Sequence, residues 1–213
     1  MLGRMRWENG RKVELAVEQI HGLSVLTVGL PQRSRRPERA VKKGAELLFR
    51  NGVRCVLTPP DFPWWPDLVR SGLRPVETRK LRCMLALAWV QAQLDGRNIP
   101  RDRAVLCLKG ERYDPVLEPL ARVLCPLVRR MVFDVPGGEA AANRLRREMG
   151  MPILPSDFNE VQLTLQLEEG PVLTGAEITL PGRELPADCD SIPLIAVLWE
   201  TGRIKLEEIV LNI

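Results

Sequence analysis

Two adjacent tryptophans, Trp64 and Trp65, sit in a stretch that reads TPPDFPWWPD over residues 58–67, directly after an apolar run. With Tyr113 they offer flat apolar surfaces of the kind that stack on a planar group. Arg33, Arg35, Arg36, Lys109 and Arg112 supply cations for a phosphate or carboxylate. Gly110 allows close backbone approach, and Gly137-Gly138 opens a helix whose first N–H groups can face an anion. Asp134 stands 24 positions beyond Gly110, about where an acidic residue meets a ribose hydroxyl in dinucleotide-binding folds. Together these residues make a nucleotide-like constellation and form the candidate ligand site.

The same residues have a plainer reading. The tryptophans serve as a lid over a sheet edge, stiffened by the prolines around them. The arginines at 33–36 are then solvated, since cations oppose the dipole at a helix N-terminus. Pro136-Gly137-Gly138 then simply makes a tight turn.

No catalytic set stands out. His21 is the only histidine and falls at a hairpin turn, which disfavours a histidine triad. The sequence lacks both G-x-S-x-G and the phosphate-loop pattern. The cysteines (Cys55, Cys83, Cys107, Cys125 and Cys189) are dispersed and mostly embedded in apolar runs, so they read as reduced core residues and not as a metal site. Asp61, Asp67, Glu111, Asp114 and Asp134 are the carboxylates that can share one edge, without a spacing that pairs them as acid and base.

Elements that would position these residues follow from periodicity and punctuation. Residues 12–20 and 23–30 read as a hairpin turned at His21-Gly22. From residue 23 to 76 the pattern is strand, helix, strand, short helix, strand, and from 104 to 154 it recurs. Thr78 to Asp95 between them is the strongest helix. The fold class predicted is α/β and Rossmann-like: two βαβαβ halves joined by a long crossover helix, with a C-terminal α+β extension. The segments are 1–22 (N-terminal hairpin region), 23–103 (first half and crossover helix), 104–156 (second half) and 157–213 (an acidic α+β segment whose strand 161–167 has one exposed face). The two halves make either one doubly wound sheet, which would gather the loops after the strands, including 31–37, 58–67, 109–114 and 136–139, on a single crest, or two separate three-stranded lobes.

Over roughly 104–155, the loop Lys109-Gly110-Glu111-Arg112-Tyr113-Asp114 followed by Asp134 resembles, at the level of fold, the nucleotide-binding domain of shikimate-dehydrogenase-like oxidoreductases. The resemblance implies NAD(P) as a cofactor. The loop keeps one glycine of the G-x-G-x-x-G fingerprint and adds Glu111, which repels phosphate.

Composition narrows the classes further. At 45 % hydrophobic and 27 % charged residues the chain is of ordinary globular type. No apolar run is long enough for a membrane span, no secretory signal is evident, and a cytoplasmic location is expected. Residues 157–213 carry 11 acids against 3 bases, whereas the remainder is strongly basic. The acidic end and the absence of a recognition motif disfavour nucleic acid as a partner. The expected partners are an anionic small molecule, another protein, or a second copy of the chain. Two functions remain: a catalytically degenerate Rossmann-like protein that uses its crest as a binding or interaction surface, or a small-molecule enzyme with an arginine-rich, glycine-poor ligand crest.

Overall fold

The structure is a computed structural model that describes residues 1–213. The chain folds as two compact units, one of Met1–Thr78 with Ile178–Val210 and one of Arg79–Glu177 with Leu211–Ile213. Each is α/β. No helix is long and apolar enough to cross a membrane.

In the first unit the order is β1 (Leu2–Glu8), β2 (Glu14–Ile20), β3 (Leu23–Pro31), α1 (Pro37–Arg50), β4 (Cys55–Leu57), α2 (Trp65–Arg70) and β5 (Arg74–Pro75). The sheet runs β2-β3-β1-β4-β5, parallel except for the edge strand β2. The β2–β3 hairpin turns as its sequence predicts: His21 and Gly22 both take positive φ, 48° and 79°, which matches the twist of paired strands. Met5 on β1, Leu26, Val28 and Leu30 on β3, and Val56 on β4 form one face. Val41, Ala45 and Leu48 of α1 and Leu68 of α2 close that face into a core. Gly44 lets α1 lie close to β3, since a Cβ there would stand 2.9 Å from Val28 Cγ1.

The opposite face begins apolar at Leu2, Val25 and Leu57 and then turns polar at Arg4 and Thr27. Arg4 is 3 % exposed. Its Nη1 donates to Glu18 at 3.1 Å and its Nη2 to Asp188. Glu18 also accepts from Thr27 Oγ1 at 3.0 Å.

The second unit contains α3 (Arg79–Gly96), β6 (Val105–Gly110), α4 (Leu117–Leu124), a 3-10 turn over Cys125–Leu127, β7 (Arg130–Asp134), α5 (Glu139–Met149), β8 (Ile153–Leu154), β9 (Leu163–Leu167) and β10 (Pro171–Val172). Its sheet runs β10-β9-β6-β7-β8 with only β10 antiparallel. A single core joins Trp89 and Leu94 of α3, Leu120 of α4 and Leu145 of α5 to Leu106, Leu108, Met131 and Leu165 of the sheet. All three helices therefore lie on one face. The other face carries a smaller cluster of Val105, Cys107 and Val132, backed by Leu154, Phe158 and Val161. The strand predicted over 161–167 is observed over Leu163–Leu167, where it alternates buried and exposed.

The remaining elements are β11 (Glu177–Thr179), α6 (Ser191–Glu200), a 3-10 turn over Leu206–Glu208, and β12 (Val210–Asn212), which pairs with β11. Asp190 caps α6 by accepting from Ile192 N at 3.1 Å.

The α/β, Rossmann-like βαβαβ pattern thus holds in both halves. Of the two arrangements open in the sequence, the halves take that of two sheets, because β1 and β9, inserted beside β3 and β6, complete each sheet separately. Two expectations are corrected. Residues 2–8 are a central strand and not part of a hairpin region. The long helix shares its core with the second unit, so it is no crossover within a common sheet.

Candidate functional site

Two sheets have two carboxyl edges, so the predicted site residues divide between them. On the first edge lie Arg33, Arg35, Arg36, Trp64 and Trp65; on the second lie Lys109, Gly110, Arg112, Tyr113, Asp134, Gly137 and Gly138.

At the first edge the tryptophans have separate tasks. Trp64 lies edge-on to Trp7 and to Phe62, with ring centroids 5.3 Å apart in both pairs, and packs against the core beneath α1. Trp65 meets Phe62 at 6.4 Å and 80°, and its other surface lines a cavity of about 340 Å³ with Thr58, Asp61 and Asp190. Arg33, Arg35 and Arg36 are exposed and enter no ion pair. Arg36 N donates instead to Ser34 Oγ at 3.2 Å, which orders the approach to α1.

At the second edge the cations already have partners. Lys109 and Asp134 are cross-strand neighbours on β6 and β7 and pair at 3.1 Å. Arg112 pairs with Glu169 at 3.2 Å. Gly137, with φ of 76°, turns the chain so that Gly138 N donates to Val135 O at 3.0 Å, which makes this segment a tight turn. Gly110 lies against the Leu167 carbonyl, where an added Cβ would sit at 3.3 Å.

Beyond the ends of β6 and β9 opens a cleft of about 580 Å³, lined by Arg79, Glu111, Arg112, Tyr113, Asp114, Glu168 and Glu169 among others. Its position follows from topology, because the chain leaves β6 toward β7 on one side while β9 stands on the other. Asp114 is 8 % exposed, accepts from Val116 N at 2.9 Å and faces Arg79 at 3.8 Å. Arg79 Nε and Arg82 Nη2 both donate to the Glu169 carbonyl, at 3.2 and 3.3 Å. These two arginines clamp the Glu169-Gly170 turn, whose residues take φ of 51° and 111°. Burial first, and the Asp114 charge second, push the Cys83 thiol above its ordinary range, so it is no ready nucleophile.

Sequence reasoning missed Arg79 as a wall of this cleft. A signal was present: Arg79, Lys80 and Arg82 crowd the first turn of α3 with no acid among them, against the helix dipole. Cations so placed need acceptors from elsewhere, and the Glu169 carbonyl is one.

Gly170→Ala tests the turn. A Cβ there would stand 2.8 Å from Arg79 Cγ at a φ few L-residues adopt, so the variant is expected to lose about 1–3 kcal/mol of stability in urea unfolding. An unchanged midpoint would show that the turn relaxes freely.

No protein-family model and no curated protein matches this chain. Among solved structures, the L-tryptophan dehydrogenase from Nostoc punctiforme is similar, with a TM-score of 0.34 and 13 % identity, over 78 % of this chain and 54 % of that one. The chain spans about half the length of that enzyme, and at this level of likeness no activity is carried across.

Proposed function

We propose that the chain is a binding protein whose second unit takes a compact molecule bearing both a carboxylate and an ammonium group, and that it does not use a dinucleotide. The observation that carries this reading is the charge state of the cleft beyond β6 and β9. Its lining holds two guanidinium groups, Arg79 and Arg112, against four carboxylates, Glu111, Asp114, Glu168 and Glu169. A pyrophosphate would meet a surplus of negative charge and a loop with one glycine. A zwitterion meets both signs: Arg112, on the exposed side, for its carboxylate, and the surrounding acids for its ammonium.

Binding calorimetry with NADH, NADPH and a panel of amino acids tests the reading on the intact chain. The expected result is saturable binding by one or more zwitterions, weakened at least tenfold in Arg112→Gln, with no saturable heat from either dinucleotide. Tight dinucleotide binding would overturn the proposal and restore the oxidoreductase reading.

A further inference from the structure

The cavity of about 340 Å³ in the first unit is large enough for a small ligand. It lies at the carboxyl edge of β4 and β5, where open α/β sheets hold their ligands. Phe62 and Trp65 form an aromatic wall, and Val76 is part of the apolar floor. The polar lining consists of Thr58, Asp61 and Asp190, with no cationic side chain.

Each polar group points to a missing positive partner. Asp61 is exposed, held at φ of 53°, and its carboxylate makes no hydrogen bond or ion pair. Asp190 commits Oδ1 to Ile192 N, which offsets the positive end of α6 and leaves its second oxygen free to accept. Thr58 is 5 % exposed and lines the cavity; its carbonyl accepts from Asp190 N at 3.0 Å, and its hydroxyl makes no side-chain hydrogen bond within the chain.

We infer that this cavity is a binding site for an organic cation, an ammonium group carried on a compact aromatic or aliphatic body. The ammonium sits toward Asp61 and Asp190 and donates to the Thr58 hydroxyl. The body lies against Trp65 and Phe62, whose ring faces attract positive charge. An anion would face two carboxylates and no counter-charge. A neutral apolar molecule would leave the three polar groups unanswered. This site belongs to the first unit and does not depend on the reading given for the second.

The test is titration of the intact chain with phenethylamine and benzyltrimethylammonium, beside the neutral 2-phenylethanol and the anionic phenylacetate. Binding is followed by calorimetry and by the shift in unfolding midpoint. Saturable binding by at least one of the two cations is expected, with affinity at least tenfold above that for the alcohol and no binding of phenylacetate. Asp61→Asn, which keeps the residue's shape and its tolerance of positive φ, should weaken the cation at least tenfold while leaving the unliganded unfolding midpoint in place. Thr58→Ser should retain binding and Thr58→Val should reduce it. Failure of both cations to bind, equal affinity for the alcohol, or full affinity in Asp61→Asn would each overturn the inference.

Discussion

The double variant Glu18→Gln, Asp188→Asn is expected to lower unfolding stability by about 3 kcal/mol, while Arg4→Met costs roughly 1 kcal/mol or less. The asymmetry arises from where each charge sits. The Arg4 side chain is 4 % exposed, against 25 % for Glu18 and 41 % for Asp188. Removing both carboxylates strands a guanidinium inside the unit, where its hydration cannot be recovered. Removing the guanidinium leaves two acids that reach water and puts an apolar side chain of similar length in its place. Arg4 Nε already lacks a hydrogen-bond partner, so the buried cation is not fully satisfied even in the intact chain. Urea unfolding of the three proteins, followed by tryptophan fluorescence, decides the matter. Equal losses in both variants would mean that the network contributes through packing and not through charge.

The second large effect is expected at Trp89. It is 3 % exposed in the core of the second unit, and its indole N–H donates to the Thr174 carbonyl at 3.2 Å. This one side chain fills the space under α3 and also fastens the segment after β10 to that helix. Trp89→Ala should therefore cost about 3–5 kcal/mol, mostly through the cavity left behind. Trp89→Phe removes the hydrogen bond and part of the volume, and a loss of about 1–2 kcal/mol is expected. A loss in Trp89→Phe as large as in Trp89→Ala would assign the effect to the bond to Thr174 and not to packing.

Much of the architecture was legible because both βαβαβ halves use plain signals. Leu23–Pro31 and Val105–Gly110 are apolar runs, and α5 ends at Gly150 with φ of 64°, the left-handed stop expected of glycine there. The strand that escaped notice, β1, carries Arg4, Arg6 and Glu8 along one face. A central strand with three charges defeats a search for apolar runs. It is tolerated because the charges bring their own partners: Arg6 binds Glu8 at 2.6 Å and Glu18 at 2.9 Å. The alternation of Gly3, Met5 and Trp7 on the other face was the readable clue.

The candidate site was legible in residue types more than in grouping. Sequence order does not say which sheet a strand joins, so loops from both halves were assigned to one crest. The carboxylates that engage the cations come from distant turns: Glu169 lies 57 residues from Arg112. Such pairs have no local signature. Trp65 and Asp61 follow the end of β4 in sequence, but their shared cavity needs Asp190, which only the fold brings near.

The first unit is built from two separated stretches of chain, and this has a consequence for its birth on the ribosome. Arg4 and Asp188 are 184 residues apart, so at about 5–20 residues per second the arginine waits roughly 10–40 s for that partner to be made. Residues 79–177 are all synthesised within that interval and can reach their compact form first. The early stretch must meanwhile survive with one side of its sheet unfinished, its central strand bearing a cation whose surroundings arrive last. Any chain not yet extended to Asp188 carries Arg4 without that carboxylate.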